Sequence, residues 1–444
     1  MSSLALVPVS PSAVGEPAYL ALAARLCATS ILSDPWIDGA PRFRVRPVVL
    51  DAATRASLER AAEELAAAFH ALALACADDP RLVEPLALTP FQQLMWRSSA
   101  PRWHGLARAD VFLTDEGPRI CEINCDTPSG EAEAVLLNRA ARADHPGLRD
   151  PNEGFEARFC DLVTALAAPL DRPAGPLTVG ILYPTELTED LSMIRLYRAF
   201  CAARGWRVEV GSPFNLSRAG GGAGLFGRRC DVFIRHYKTD WWGEREPACR
   251  DEPRFPDAAP LAEPLAILLE AEARGACAVL NPFGAALVQN KRFMALAWEQ
   301  RARLPPSARE AIERTLPFSA RLETLDPSRL AEERGSWVLK SDYGCEGTEV
   351  VIGAGCTDEE WRAALSSAIP TRFVAQRWFR ARPERRSGVE QPAVAGLPEA
   401  GSDAPVNHGV YLVAGEACGF LSRVQDGVTD CHALTAPTFV RGES

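Results

Sequence analysis

The sequence predicts a mixed α/β (α+β) fold, and three features predict it. A strand–helix–strand alternation fills the middle of the chain, antiparallel strand pairs lie before and after it, and a long alanine-rich helix precedes them. At 444 residues, 47 % of them apolar and 24 % charged, the chain can bury a sizeable core and divides into about three lobes.

Taken in order, residues 51–77 carry leucines at helical spacing among alanines, with Asp51 placed to cap the start. Residues 107–113 and 118–124 read as two strands around Asp115-Glu116-Gly117, taken as a three-residue hairpin loop with glycine at the left-handed position. A helix follows from Ser129 or Gly130 to about Ala143. Beyond the prolines at 173–176, LTVGILY (177–183), WRVEV (206–210), CDVFIRHY (230–237) and CAVLN (277–281) are strand-like. Helices at 189–204 and 262–274 separate them, which argues for a mainly parallel sheet. The glycine run 220–224 lacks the Gly-Lys-Ser/Thr ending of a phosphate loop and reads as a surface loop. The last third predicts a helix from Asn290 and strands at 336–341, 349–353, 372–378, 409–414 and 418–424. Residues 380–405, rich in proline, glycine and charge, read as a mobile loop.

Composition excludes several classes. No apolar run approaches the ~18–20 residues that span a bilayer; the longest, Ala66–Ala77, is broken by His70. The start (MSSLALVPVS) lacks the basic segment of a secretory signal, and thirteen scattered cysteines without a CxxC pair suit reduced thiols, so a cytoplasmic location is expected. A net charge of −10 argues against a general nucleic-acid grip. No membrane partner is expected.

The chemistry concentrates in residues 106–134. Side chains alternate across a strand, so the predicted register (114 opposite 118, 112 opposite 120, 110 opposite 122, 108 opposite 124) sets Arg108, Asp110, Glu122 and Asn124 on one face. Ala109, Val111, Leu113, Cys121 and Ile123 then share the other. Opposed carboxylates at 110 and 122 repel unless positive charge lies between them. A hard divalent cation would settle the conflict, with Asn124 giving a neutral oxygen and Arg108 a charge for a phosphoryl group.

Lys340 ends a strand before the turn Gly344-Cys345-Glu346-Gly347, whose glycines let backbone N–H groups approach phosphates. Lys291 sits at a helix start, and Gln376 lies inside an apolar strand. Taken singly, each also reads as an ordinary surface or core residue. Asp126, Thr127 and Ser129 either meet an acceptor carboxylate or cap the following helix. Glu186, Glu189 and Asp190 follow a parallel strand, where a cationic amine could bind or where they simply start a helix. Arg423 is placed on a late strand that faces the site. Trp241 and Trp242 read as packing residues, as do Cys27, Cys76 and His70.

In combination these residues resemble the ATP-grasp superfamily. Here Glu122-Ile123-Asn124 precedes both lysines, an order that implies circular permutation and narrows the resemblance to the glutathionylspermidine synthetase-like family. The matching blocks are Arg108-Ala-Asp110, Glu122-Ile-Asn124-Cys-Asp126-Thr127, Asn290-Lys291, Lys340-Ser-Asp-Tyr-Gly344-Cys-Glu346-Gly347 and Gln376, spanning about residues 95–440. Ser341 and Cys345 depart from the family's proline and arginine.

The resemblance implies a circularly permuted ATP-grasp fold with a Rossmann-like pre-ATP-grasp domain. Residues 1–174 would hold the N-terminal helical segment and metal-binding hairpin, 175–285 the pre-ATP-grasp domain, and 286–444 the nucleotide-binding lobe. It implies ATP and two Mg²⁺ ions, held by Asp110, Glu122 and Asn124. Lys291, Lys340, Gly344, Glu346 and Gly347 would hold phosphates, Gln376 would lie near adenine, and Arg108 would stabilise the transferred phosphoryl group. Asp126, Thr127, Ser129, Glu189 and Arg423 are substrate-site candidates. The implied reaction is ATP-dependent amide ligation of a small carboxylate or peptide to an amine through an acyl phosphate, without an amidase domain and compatible with a homodimer. The alternatives are the same chemistry on an amino acid or other small peptide, or a non-catalytic nucleotide-binding protein.

Overall fold

The computed structural model describes residues 17–185, 190–243, 247–254, 261–344, 347, 349–383, 404–425 and 427–442. Most of the expected 380–405 loop therefore lies outside the described residues, as do Glu186, Glu189, Cys345 and Glu346.

Helix α1 (Ala52–Asp78) begins where expected: Asp51 accepts the Thr54 amide at 2.7 Å, satisfying one orphan donor of the first turn. Pro80 closes it off by removing the next donor. Its Leu58, Leu65, Phe69 and Leu72 are buried, each contributing roughly 1.5–3 kcal/mol of apolar transfer energy. They pack on Ala107, Ala109, Val111, Ile120 and Ile123, the apolar face of strands β1 (Leu106–Thr114) and β2 (Gly117–Asn124). Cys76 is buried as expected, whereas Cys27 and His70 turn outward to solvent.

The β1–β2 register differs from expectation at its turn. Thr114 pairs with Gly117, so the loop is two residues long, and an extra residue at Cys121 restores the pairing of Asp110 with Glu122 and Arg108 with Asn124. The Thr114 hydroxyl, which donates to the Gly117 carbonyl at 2.8 Å and accepts from the Glu116 amide, closes the tighter loop. A bulge of this kind leaves one residue outside the ladder. Cys121 consequently leaves the packing face and lines the cavity below.

After helices α2 (Glu131–Ala141) and α3 (Phe155–Ala167) comes the expected parallel sheet. Strands β3 (Thr178–Leu182), β4 (Arg207–Gly211), β5 (Val232–Arg235) and β6 (Ala278–Leu280) lie in the order β6-β5-β3-β4, all parallel. Helix α4 (Leu191–Ala203) follows β3, and helix α5 (Ala262–Ala273) precedes β6. The glycine run is not a plain loop. Gly220 and Gly221 make a turn, and Gly222–Leu225 forms a buried strand paired with Leu216–Ala219.

Helix α6 (Arg292–Gln300) leads to a second mixed lobe. Its strands β7 (Ser319–Arg321), β8 (Trp337–Ser341), β9 (Val350–Ile352) and β10 (Phe373–Arg377) lie in the order β7-β10-β8-β9. The chain then returns to its beginning: β11 (Val406–Val413), β12 (Glu416–Val424) and β13 (Leu434–Ala436) extend the first hairpin into the sheet β13-β12-β11-β1-β2. Strand β11 pairs with β1 from Leu106 to Phe112, so segments some 300 residues apart in sequence share one ladder. Among the described residues no helix is long and apolar enough to cross a membrane, and the described cysteines are free thiols.

Candidate active site

One face of β1–β2 rests on α1; the other opens into a cavity of about 760 Å³, within the size range of small-ligand sites. Arg108, Asp110, Glu122 and Asn124 all line it, as the alternation of side chains requires.

Their partners differ from the sequence expectation. Arg108 grips the buried Asp110 with two hydrogen bonds, Nε to Oδ1 at 2.7 Å and Nη2 to Oδ2 at 3.2 Å. Arg423, arriving on β12, donates to the same Oδ2 at 2.7 Å. Burial would raise the Asp110 carboxyl; the two guanidiniums overcome it and hold it well below the usual carboxylate range. The repulsion between Asp110 and Glu122 is thus already relieved by arginine, and it does not of itself require a cation. Gly409 faces Asp110 across the ladder, and a Cβ there would come within 2.8 Å of Arg108 Cδ, so glycine leaves room for the guanidinium's stem.

Glu122 is freer, with about a quarter of its side chain exposed. Lys291 Nζ lies 3.4 Å from its Oε2, and the Asn124 amide faces both carboxylates, 3.3 Å from Glu122 Oε1 and 3.5 Å from Asp110 Oδ2. Burial pushes Glu122 up, Lys291 pulls it down more than Asp110 pushes it up, and the net direction is below its ordinary value.

Both lysines reach this cluster. Lys291 also donates to the Gly344 carbonyl. Its backbone amide donates to the Asp342 carbonyl at 2.8 Å, and Arg372 locks the Asp342 carboxylate from beneath at 2.5 and 2.8 Å. Lys340, on β8, donates to the Cys121 carbonyl at 3.1 Å, an acceptor that the bulge frees from the ladder. Four cationic side chains from separate elements therefore surround two carboxylates, leaving an excess of positive charge.

Gly344, Gly347 and Gln376 line the same cavity. Gly347 has φ +74°, and a Cβ there would press to 2.6 Å of Val428 Cγ1, so the turn demands glycine. Ser341 accepts from the Gly344 amide at 2.9 Å and donates to Glu349, a bracing role proline could not fill. Gln376 is buried, its amide donating to Ser319 Oγ at 3.1 Å and facing Met294 Sδ at 3.6 Å.

The substrate candidates divide. Thr127 and Ser129 line the cavity, with the Ser129 carbonyl accepting from Arg108 at 2.7 Å and from the Tyr411 hydroxyl at 2.9 Å. None of Asp126, Thr127 or Ser129 caps α2, whose first turn follows Gly130 without a side-chain cap. Asp126 is instead consumed inside the protein, between Arg235 at 2.6 Å and the Thr239 amide at 2.7 Å. Trp242 is buried against Tyr237 and Phe283, as expected, while Trp241 lines the cavity.

Sequence reasoning missed one wall. Asp34, Trp36 and Arg42 come from the N-terminal segment, and Arg42 bridges Asp34 at 2.7 Å and Glu133 at 2.6 Å. Asp190 and His236, on the parallel sheet, complete that end of the cavity.

Behind Arg108, the Glu131 carboxyl is fully buried among Arg108, Tyr197 and Tyr411, and burial pushes it up to about 8. An acid raised in the folded state contributes full stability below its unfolded pKa near 4.5 and loses it as pH rises toward 8. Glu131→Gln is therefore expected to gain about 3 kcal/mol relative to the parent between pH 4.5 and pH 7.5, measured by urea titration at both values. An unchanged difference across that range would contradict the assignment.

No family model matches the chain, and no curated protein matches it. Solved structures do. A glutathione synthetase-like effector from Globodera pallida, in its apo form, matches with a TM-score of 0.59 and 10 % identity over 98 % of this chain and 100 % of that one. The likeness is one of fold. A putative γ-glutamylcysteine synthetase from Methylobacillus flagellatus KT gives a TM-score of 0.43 at 12 % identity, covering 88 % of this chain and 87 % of that one.

Proposed function

We propose that this chain is an ATP-dependent carboxylate–amine ligase, working through an acyl phosphate. The observation that carries this reading is the gathering of four cations in one cavity with a glycine-bearing turn at its rim: Arg108 and Arg423 on Asp110, Lys291 on Glu122, and Lys340 on the neighbouring Cys121 carbonyl. Phosphoryl transfer needs little covalent work from a protein; it needs reactants held in line and charge offset as it develops. Lys291 and Lys340 would offset the nucleotide phosphates, and Arg108 and Arg423 the transferring group. Phosphate arriving there competes with Asp110 for both guanidiniums.

The donor set fits a hard cation in part. Glu122 and Asn124 line the cavity with side-chain oxygens held by long contacts of 3.3–3.4 Å or, among the described residues, none, whereas Asp110 is tied to arginine. Among the described residues no group of three or more His, Cys, Asp and Glu side chains is gathered as a metal site, so water and phosphate oxygens would complete the shell. When bound, Mg²⁺ supplies charge neutralisation and Lewis acidity at the phosphates.

The fold shared with a glutathione synthetase-like protein supports a small-peptide carboxylate as acceptor. Glutathione and γ-glutamyl dipeptides therefore come first in an ADP-release screen, paired with polyamines and amino acids as amines. The finer glutathionylspermidine synthetase-like reading, with its permuted ATP-grasp order, is supported by β11 pairing with β1.

Saturating Mg²⁺–ATP is expected to stabilise the protein by about 3 kcal/mol at a hundredfold excess over Kd, read as a rise in Tm. An unmoved Tm at millimolar nucleotide would overturn the nucleotide site.

A further inference from the structure

The parallel sheet has its own crevice. Strand β3 connects to β4 on one side, and the chain later returns to place β5 on the other, so the strand order reverses between β3 and β5. Ligands in open α/β sheets bind outside the carboxyl ends of the strands at that point of reversal. Two polar side chains stand there. Asp190 precedes α4, the helix after β3, and His236 follows β5 directly, its backbone amide donating to the Leu182 carbonyl at 2.7 Å. His236 Nε2 lies 3.0 Å from Asp190 Oδ2. Although His236 is only 7 % exposed, both residues line the cavity that holds Arg108 and Lys291.

We propose that the Asp190–His236 pair is the proton acceptor for the incoming amine, and that the crevice between β3 and β5 is the amine subsite. The proposal rests on the ligase reading above and supplies the group that reading lacks. Arg108, Arg423, Lys291 and Lys340 are all cations, Asp110 is held by two guanidiniums, and Glu122 is assigned to the cation and Lys291, so none of them is left to take a proton from an ammonium ion. Burial raises the Asp190 carboxyl, and its contact with His236, aided by Lys238, outweighs this and keeps it ionised. An ionised carboxylate at 3.0 Å orients the imidazole and stabilises it once protonated. Among the described residues, the other charged or titratable groups around the pair are Lys238, Tyr197 and the Asp126–Arg235 ion pair behind it.

The step balances as follows. A primary ammonium ion gives one proton to His236 and becomes the free amine. Its lone pair attacks the acyl-phosphate carbonyl, the C–N bond forms, and the C–O bond to phosphate breaks. A second proton leaves the nitrogen with the departing phosphate, and His236 returns its proton to solvent. The Arg42–Asp34–Glu133 cluster at the same end of the cavity sets one guanidinium between two carboxylates and leaves one negative charge over, which suits an amine that arrives as an ammonium ion.

The test compares nucleophiles that do and do not need a base. Hydroxylamine is neutral at pH 7 and traps acyl phosphates as hydroxamates; glycine and spermidine enter as ammonium ions. Wild-type protein with Mg²⁺–ATP and a panel of small peptides should form hydroxamate, and none at all would overturn the ligase reading itself. Given hydroxamate, His236→Asn should lose at least 100-fold in amide formation from glycine or spermidine at pH 7, shrinking as pH rises. Its loss with hydroxylamine should be at least tenfold smaller. Asp190→Asn should show the same pattern more weakly, and the Mg²⁺–ATP shift in Tm should persist in both as a check on folding. Equal losses with all nucleophiles, no loss with any, or a wild-type protein that makes hydroxamate yet amidates neither amine would each overturn the proposal.

Discussion

Glu122→Gln is expected to lower ADP release by about 10³-fold with any accepted substrate pair, and to leave the fold intact. Glutamine keeps the shape of the side chain and removes its charge. The structural cost is small, because Glu122 is partly exposed and its ion pair with Lys291 is a long 3.4 Å. Lys291 also keeps its bond to the Gly344 carbonyl. A partly solvated contact of this kind is worth at most about 1 kcal/mol. The chemical cost is large, because Glu122 is the one cavity carboxylate of the hairpin not already satisfied by arginine. A steady-state ADP assay alongside thermal melts separates the two effects. Turnover near the parent value would remove Glu122 from the reaction, and a collapsed Tm would make it a structural residue.

Much of this cavity was legible because strands impose a period of two. That period alone put Arg108, Asp110, Glu122 and Asn124 on one face, and the structure keeps all four there. Cys121 was misassigned because two deviations cancel: a loop one residue shorter than expected and one bulged residue give the same net register at Asp110–Glu122. No local pattern distinguishes that pair of changes from a regular ladder. Asp126 looked like a ligand candidate because its partners, Arg235 and Thr239, lie more than a hundred residues away and only folding brings them near. The N-terminal wall carried a signal that went unread. Asp38-Gly39, both at positive φ, form the turn of a short hairpin pairing Trp36 with Pro41, a recognisable Asp-Gly signature. The Asp190–His236 contact had no such signature, since it depends on the strand order of the sheet.

The arginine grip on Asp110 makes the second large prediction. Arg108→Met should destabilise the protein by about 3–5 kcal/mol, because it leaves a buried carboxylate with Arg423 as its one remaining charged hydrogen-bond partner. The pH dependence has a definite sign. Asp110 titrates far below its unfolded value, so its favourable contribution is present above about pH 4 and is lost as pH falls through the folded value. The gap between parent and variant should therefore be widest near pH 7 and narrow in acid. Replacing both partners, Arg108→Met with Asp110→Leu, removes the stranded carboxylate and leaves the part-exposed Arg423 to be solvated from the cavity, so it should recover part of the lost stability, while ADP release stays abolished. Recovery of stability without activity would separate the two roles of Arg108: holding the hairpin face together at rest, and meeting phosphate during turnover. If the double variant recovered both, Arg108 would be a structural residue alone, and Arg423 would be left as the guanidinium facing the transferring group.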